Sequence, residues 1–265
     1  MKKHIHFFFI LPLFFNCGCL ANASTLNGEP AHSKNDENIK TQDLTISEFK
    51  GITLIGITPS KDETFNVPIV TAEKALKVIK QALVLIEMNS PFSKSQIELL
   101  MRNGQVIIVY DPRYPKENST SNSVQIALFS PNYYNLEIRD NKGKNFLVIV
   151  SRHGVKWPIK ELAAVLVHEL VGHGIQHLSD NFSKMRLTDL ECEAWLYEEM
   201  AYQDLKMDKY SREMINFKKQ LENQCDSFIR YLRDSDPIGA LLWDNLNPDI
   251  PKLLEHFAVF LKQIE

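Results

Sequence analysis

The spacing of apolar positions changes along the chain, and each change marks a new element. Ile52–Thr58 reads as a short strand, ended by the turn-formers Pro59-Ser60-Lys61-Asp62. Leu76, Ile79, Leu83 and Ile86 then recur at helical spacing behind Thr71, which predicts a capped helix over Ala72–Glu87. A second helix is expected over Ser93–Arg102, stopped by Asn103-Gly104. Next the period shortens. Gln105–Tyr110 is a continuous apolar run of the buried-strand type, and Ser123–Phe129 reads as a further strand after the polar stretch Asp111–Asn122. Tyr134–Arg139 and Asn145–Ser151 flank Asp140-Asn141-Lys142-Gly143-Lys144 and predict a hairpin.

After Trp157-Pro158 the pattern is helical to the end. Pro158 suits a first helical turn, and that helix should run to about Leu178. Leu187–Lys206 is the next helix. Ser211–Arg233 is expected as one long helix, with Met214, Phe217, Leu221, Cys225, Phe228 and Leu232 as its core stripe. Pro237–Leu246 and Pro251–Ile264 read as two shorter helices. The fold class expected is α+β: helices packed on one face of a small mixed sheet, followed by a C-terminal helical bundle.

Composition adds bounds. A chain of 265 residues, 44% hydrophobic and 24% charged, suits one globular domain with a sizeable core. The formal net charge of −3, without a basic stripe, argues against nucleic acid as a partner. Lys2 and Lys3, the apolar run Phe7–Phe15 and the small residues of Ala21-Asn22-Ala23 read as a cleaved secretory signal. We therefore expect a signal peptide over 1–23, a flexible linker over 24–45 and a single domain over 46–265. The mature chain would be periplasmic or secreted, with no transmembrane span. Lipidation at Cys19 is the weaker option, because Asn16 stands where a large aliphatic residue is expected. Cys192 and Cys225 remain after cleavage, and an exported setting permits a disulfide between them.

The chemistry concentrates in Ala164–Leu178, where His168, Glu169, His173 and His177 interrupt an apolar helix. Adjacent His-Glu with a second His one turn on is a zinc-hydrolase pattern. The imidazoles bind the metal, and the glutamate takes a proton from the water that the metal activates. Here the two His are five apart. On a regular α-helix that separates them by about 140°. A π-bulge, eased by Gly172, would return both to one face. A straight helix would instead align Glu169, His173 and His177, spaced four and four. A third ligand is needed, and Glu191 and Glu193 on the next helix are the candidates, of which only one can face the metal.

His168-Glu169-Leu170-Val171-Gly172-His173 resembles the His-Glu-Leu-Leu-Gly-His motif of the dipeptidyl peptidase III family, zinc peptidases of the gluzincin type with the same one-residue expansion. Leu190-Glu191-Cys192-Glu193-Ala194-Trp195 is similar to that family's Glu-Glu-Cys-Arg-Ala-acid motif at Glu, Cys and Ala. The resemblance implies a zincin-like fold and one Zn²⁺ per chain held by His168, His173 and Glu191. It also implies Glu169 as general base and a peptide or protein as substrate. Leu190 and Trp195 depart from the family pattern. Trp195 stands where an acid usually supports a ligand His; Asp189, Glu193 or Glu198 would have to substitute. His177 and Glu193 are further candidates as alternative ligands or supports of the ligands. Oxyanion donors would come from Tyr197, Tyr202, Tyr210, His177 or His256. The substrate would add as a strand along Ser123–Phe129 or Asn145–Ser151. Two other functions fit the same residues: an inactive zincin-like binding protein, and a zinc amidase acting on cell-wall peptides.

Overall fold

A computed structural model describes residues 44–115, 124–134 and 143–264. The expected signal peptide, and the linker up to residue 43, lie outside the described residues. Among the described residues, five strands form one mixed sheet in the order β1-β2-β3-β5-β4. They are β1 (Leu44–Phe49), β2 (Ile52–Ile57), β3 (Gly104–Tyr110), β4 (Ala127–Phe129) and β5 (Lys144–Val150). The three inner strands β2, β3 and β5 run parallel, while β1 and β4 pair antiparallel at the two edges. Helices α1 (Ala72–Asn89) and α2 (Pro91–Asn103) make the crossover between β2 and β3.

The continuous apolar runs of β3 and β5 follow from burial on both faces. Leu54, Ile108, Tyr110, Phe146 and Val148 point into the main core beneath the helices. Ile107, Val109, Leu147 and Ile149 point the other way, into a smaller cluster covered by Tyr114, Tyr133 and Tyr134. The architecture is thus α+β, with the helices on one face.

The helix after Pro158 is not uniform. It runs as α3 (Ile159–Leu166), a π-helical segment (Val167–His173) and α4 (Gly174–Leu178). Pro158 is its N-cap, one place earlier than expected. Then follow α5 (Leu187–Asp204), α6 (Arg212–Gln224), α7 (Asp226–Ser235), α8 (Pro237–Trp243) and α9 (Ile250–Ile264). None of the described helices is long and apolar enough to cross a membrane.

Several expectations need correction. The stretch 24–45 does not end as linker: Leu44 and Thr45 already belong to β1, an edge strand whose alternation is blurred because Ile46 is 65% exposed. The strand expected over Ser123–Phe129 contracts to Ala127–Phe129. Residues 135–142 lie outside the described residues, and with them most of the first arm and of the turn of the expected hairpin; its second arm forms β5. The single helix over Ser211–Arg233 is two helices, because the backbone leaves helical geometry at Cys225. The core stripe survives the break, since Met214, Phe217, Leu221, Cys225, Phe228 and Leu232 are all buried. At the break Cys225 is disulfide-bonded to Cys192 on α5, with the two Cα atoms 4.8 Å apart.

Candidate metal centre

The π-helical segment resolves the five-residue spacing. Hydrogen bonding from i to i+5 widens the turn by one residue, so His168 and His173 come round to the same face. Their rings lie 5.1 Å apart at 80°. Facing them is Glu191 on α5. Its Oε2 lies 3.6 Å from His168 Nε2, and its Oε1 lies 3.7 Å from His173 Nε2. One ligand atom from each residue falls within 4.8 Å of the others, and all three residues are buried.

The donor set fits a small divalent cation. Zinc bonds of 2.0–2.2 Å in a tetrahedron put neighbouring donor atoms about 3.3 Å apart; Glu191 stands within a few tenths of an ångström of that distance from each imidazole, and all three donors lie within 4.8 Å. Two imidazoles and one carboxylate are the ligand types such an ion takes, and they leave a fourth position open.

Gly172 makes the approach of α5 possible. A Cβ built at Gly172 would lie 2.7 Å from Ala194 Cα and 2.8 Å from Ala194 Cβ. Contact with Ala194 is thus the stronger reason for a glycine here than backbone freedom. The pair Glu191–Ala194 acquires a physical sense: one turn carries the ligand and the small residue against which the His-bearing segment packs.

Each imidazole is held on its far nitrogen. Glu198 Oε2 lies 3.0 Å from His168 Nδ1. Glu198 stands two turns beyond Glu191 on the same face of α5 and supplies the acid absent at position 195. Trp195 packs edge-on against the His168 ring at 5.7 Å instead. Tyr202 lies beside Glu198, and burial in this acidic surrounding holds its phenol well above its ordinary range. On the other side Gln176 Oε1 lies 2.8 Å from His173 Nδ1. Gln176 Nε2 donates to Leu190 O at 2.7 Å and to Glu193 Oε2 at 3.0 Å. Burial alone would lower the pKa of His168. The neighbouring carboxylates of Glu191 and Glu198 outweigh it and raise that pKa well above the usual imidazole range.

Glu169 reaches the sheet. Its Oε2 accepts the Phe129 backbone N–H at 2.7 Å. The straight-helix alternative therefore does not form. Glu169 binds β4, and His177 packs against the rings of Phe129 and Phe146, each at 5.8 Å. Burial and the nearby Lys144 lower the His177 pKa. Glu193 is half-buried and bound to Gln176; burial pushes its carboxyl up to about 7.

The proposed oxyanion donors scatter. Tyr197 stacks on Phe92 at 6.0 Å and lies near Glu193, while Tyr202 is engaged behind His168. Tyr210 is 76% exposed in the turn after α5, and His256 on α9 contacts Asp236 at the start of α8. Asp189 is held by Arg186 at 2.6 Å.

Sequence reading missed Gln176, three residues after His173, and the Phe129 N–H. A helical i,i+3 offset could have flagged the first; the second is a main-chain contact with no sequence signature. Comparison with family models, curated proteins and solved structures finds no match, so the site is read from its own geometry.

Proposed function

We propose that this chain is a zincin-like, zinc-dependent hydrolase of peptide bonds, exported from the cell. The observation that carries the reading is the convergence of His168, His173 and Glu191 across a π-helical segment, with Glu169 beside them. A zinc ion bound there would supply Lewis acidity and activate a water. The chain's own part is then to place that water, the base and the substrate.

Glu169 fits the base. It lies next to a ligand in sequence, and the Phe129 N–H fixes its carboxylate at the rim of the sheet. In that place it would take a proton from the attacking water and hand it to the leaving amine. Of the two strands considered for the substrate, β5 lies inside the sheet, with β3 along one side and β4 along Val148–Val150 on the other. β4 remains. Ser130 N–H donates to Leu147 O and Ser151 N–H donates to Ile126 O, so residues 126, 128 and 130 face β5. The main-chain groups of Ala127 and Phe129 therefore face away from β5, toward the edge and Glu169. An extended peptide added there would run past the base.

The test uses the zinc-loaded chain with a folded protein, short peptides and peptidoglycan fragments as substrates. Wild type should bind one zinc and hydrolyse at least one class. Glu169→Gln should keep the zinc and lose hydrolysis by about 100-fold or more. Undiminished turnover in Glu169→Gln would remove the base from the scheme. One observation favours a second reading, a structural ion in a protein without hydrolytic activity. The ligands are 0–5% exposed, and Phe182 packs against both His173 and Phe129. That reading predicts zinc-dependent stability and no turnover of any substrate. Cleavage confined to the cell-wall fragments would point to an amidase.

A further inference from the structure

Gln176 is 1% exposed, and its carboxamide reaches three groups at once. The nitrogen Nε2 lies 2.7 Å from Leu190 O and 3.0 Å from Glu193 Oε2, while Oε1 lies 2.8 Å from His173 Nδ1. A backbone carbonyl can only accept, so the end facing Leu190 must be the NH₂. That fixes the amide's orientation and turns its oxygen toward His173. An amide oxygen can only accept as well, so His173 Nδ1 must carry a proton. The lone pair of the neutral ring then lies on Nε2, the atom that faces Glu191 Oε1 at 3.7 Å.

The second half of the contact crosses between helices. Gln176 belongs to α4, close behind His173. Leu190 and Glu193 belong to α5 and bracket Glu191. One amide therefore sets the tautomer of one ligand and the separation between that ligand and another.

We propose that Gln176 is a positioning residue, which locks His173 in the tautomer that offers Nε2 to a metal ion and ties α4 to α5 across the site. The inference rests on the metal-binding reading above and extends it to a residue that touches neither substrate nor metal.

The test compares wild type, Gln176→Leu and the exchange pair Gln176→Glu with Glu193→Gln. The pair keeps an acceptor facing His173 and lets residue 193 donate to residue 176, but gives up the donation to Leu190 O. Three quantities are measured on the full chain: zinc affinity by chelator competition, the His173 ring proton by long-range ¹H–¹⁵N NMR in the zinc-loaded protein, and folding by circular dichroism. Wild type should show a slowly exchanging proton on His173 Nδ1. Gln176→Leu should lose zinc affinity 10- to 100-fold and lose that signal to solvent exchange. The exchange pair should recover the signal and only part of the affinity, since it keeps the acceptor for His173 but not the donation to Leu190 O; if Gln176→Leu does not fold, the signal in the pair decides. Wild-type affinity in Gln176→Leu, failure of a folded exchange pair to recover the His173 Nδ1 signal, or coordination through Nδ1 would overturn the proposal. Failure of wild type to bind zinc would instead overturn the metal reading on which it rests.

Discussion

Adding one methyl group at Gly172 should break the proposed metal site without touching His168, His173 or Glu191. A Cβ there meets the backbone of α5, at 2.7 Å from Ala194 Cα, and backbone cannot swing aside. Restoring an ordinary carbon–carbon contact of 3.5–4.0 Å requires a relative shift of about 1 Å between α5 and the π-helical segment. Those two elements carry Glu191 and the two histidines. A shift of that size would open the 3.6 and 3.7 Å separations to about 4.6 Å, too wide for one tetrahedral ion. Overpacking of this kind costs about 1–3 kcal/mol, and each kcal/mol lowers the thermal midpoint of a domain this size by roughly 2–4 °C. Gly174→Ala is the control. The same methyl two residues on meets the Leu100 side chain, nearest at Cδ1, 2.8 Å away, the far end of a flexible side chain. Gly172→Ala should lose zinc affinity by on the order of tenfold or more and melt several degrees lower. Gly174→Ala should match wild type in both. Chelator competition and thermal unfolding with and without zinc read the two effects separately. If the two alanine variants behave alike, contact with Ala194 does not set the position of Glu191.

Two further perturbations probe the scaffold. The Cys192–Cys225 bond closes a 33-residue loop, which on chain-entropy grounds stabilises the fold by about 3–4 kcal/mol; replacing both with alanine should lower the denaturant midpoint accordingly, and an unchanged midpoint would show that the bond adds nothing. Burial pushes the Tyr110 hydroxyl, which donates to Val70 O, up to about 12. Its folded pKa is thus raised above the unfolded value of about 10, so its contribution is complete below pH 10 and is lost as pH rises to about 12, by up to roughly 2–3 kcal/mol. Tyr110→Phe should flatten that part of the stability–pH curve, and equal slopes in the two proteins would disprove the assignment.

The elements legible in the sequence were those whose period is set by burial. Leu76, Ile79, Leu83 and Ile86 mark α1 because one face of it is covered, and Gln105–Tyr110 marks β3 because both faces are. β1 was not legible: an edge strand with Ile46 outward carries little alternation. The break at Cys225 was hidden because the helical stripe continues through it. At the site, the His-Glu-His spacing defined a geometric demand that the π-helical segment meets. What sequence could not supply was direction. It left Glu191 against Glu193, and Asp189, Glu193 or Glu198 as the substitute acid. The arrangement of α5 separates them: Glu191 and Glu198 share a face toward His168, Glu193 turns to Gln176, and Asp189 turns to Arg186.

That arrangement also explains why so polar a group can sit in the core. Glu169, Glu191 and Glu198 are each 1–5% exposed, and burying carboxyl groups together is costly unless positive charge or hydrogen-bond donors compensate. Phe129 N–H serves Glu169, and His168 serves Glu198, with Tyr202 beside it. Glu191 faces both imidazoles, and the carboxyl groups on α5 favour a proton on His168. A divalent cation would place its charge at that position, where Glu191 and both Nε2 atoms converge, and would compete with that proton for His168. The acids of α5 thus have one electrostatic requirement, a positive charge between α5 and the π-helical segment, and the geometry of the two histidines and Glu191 decides which cation can meet it.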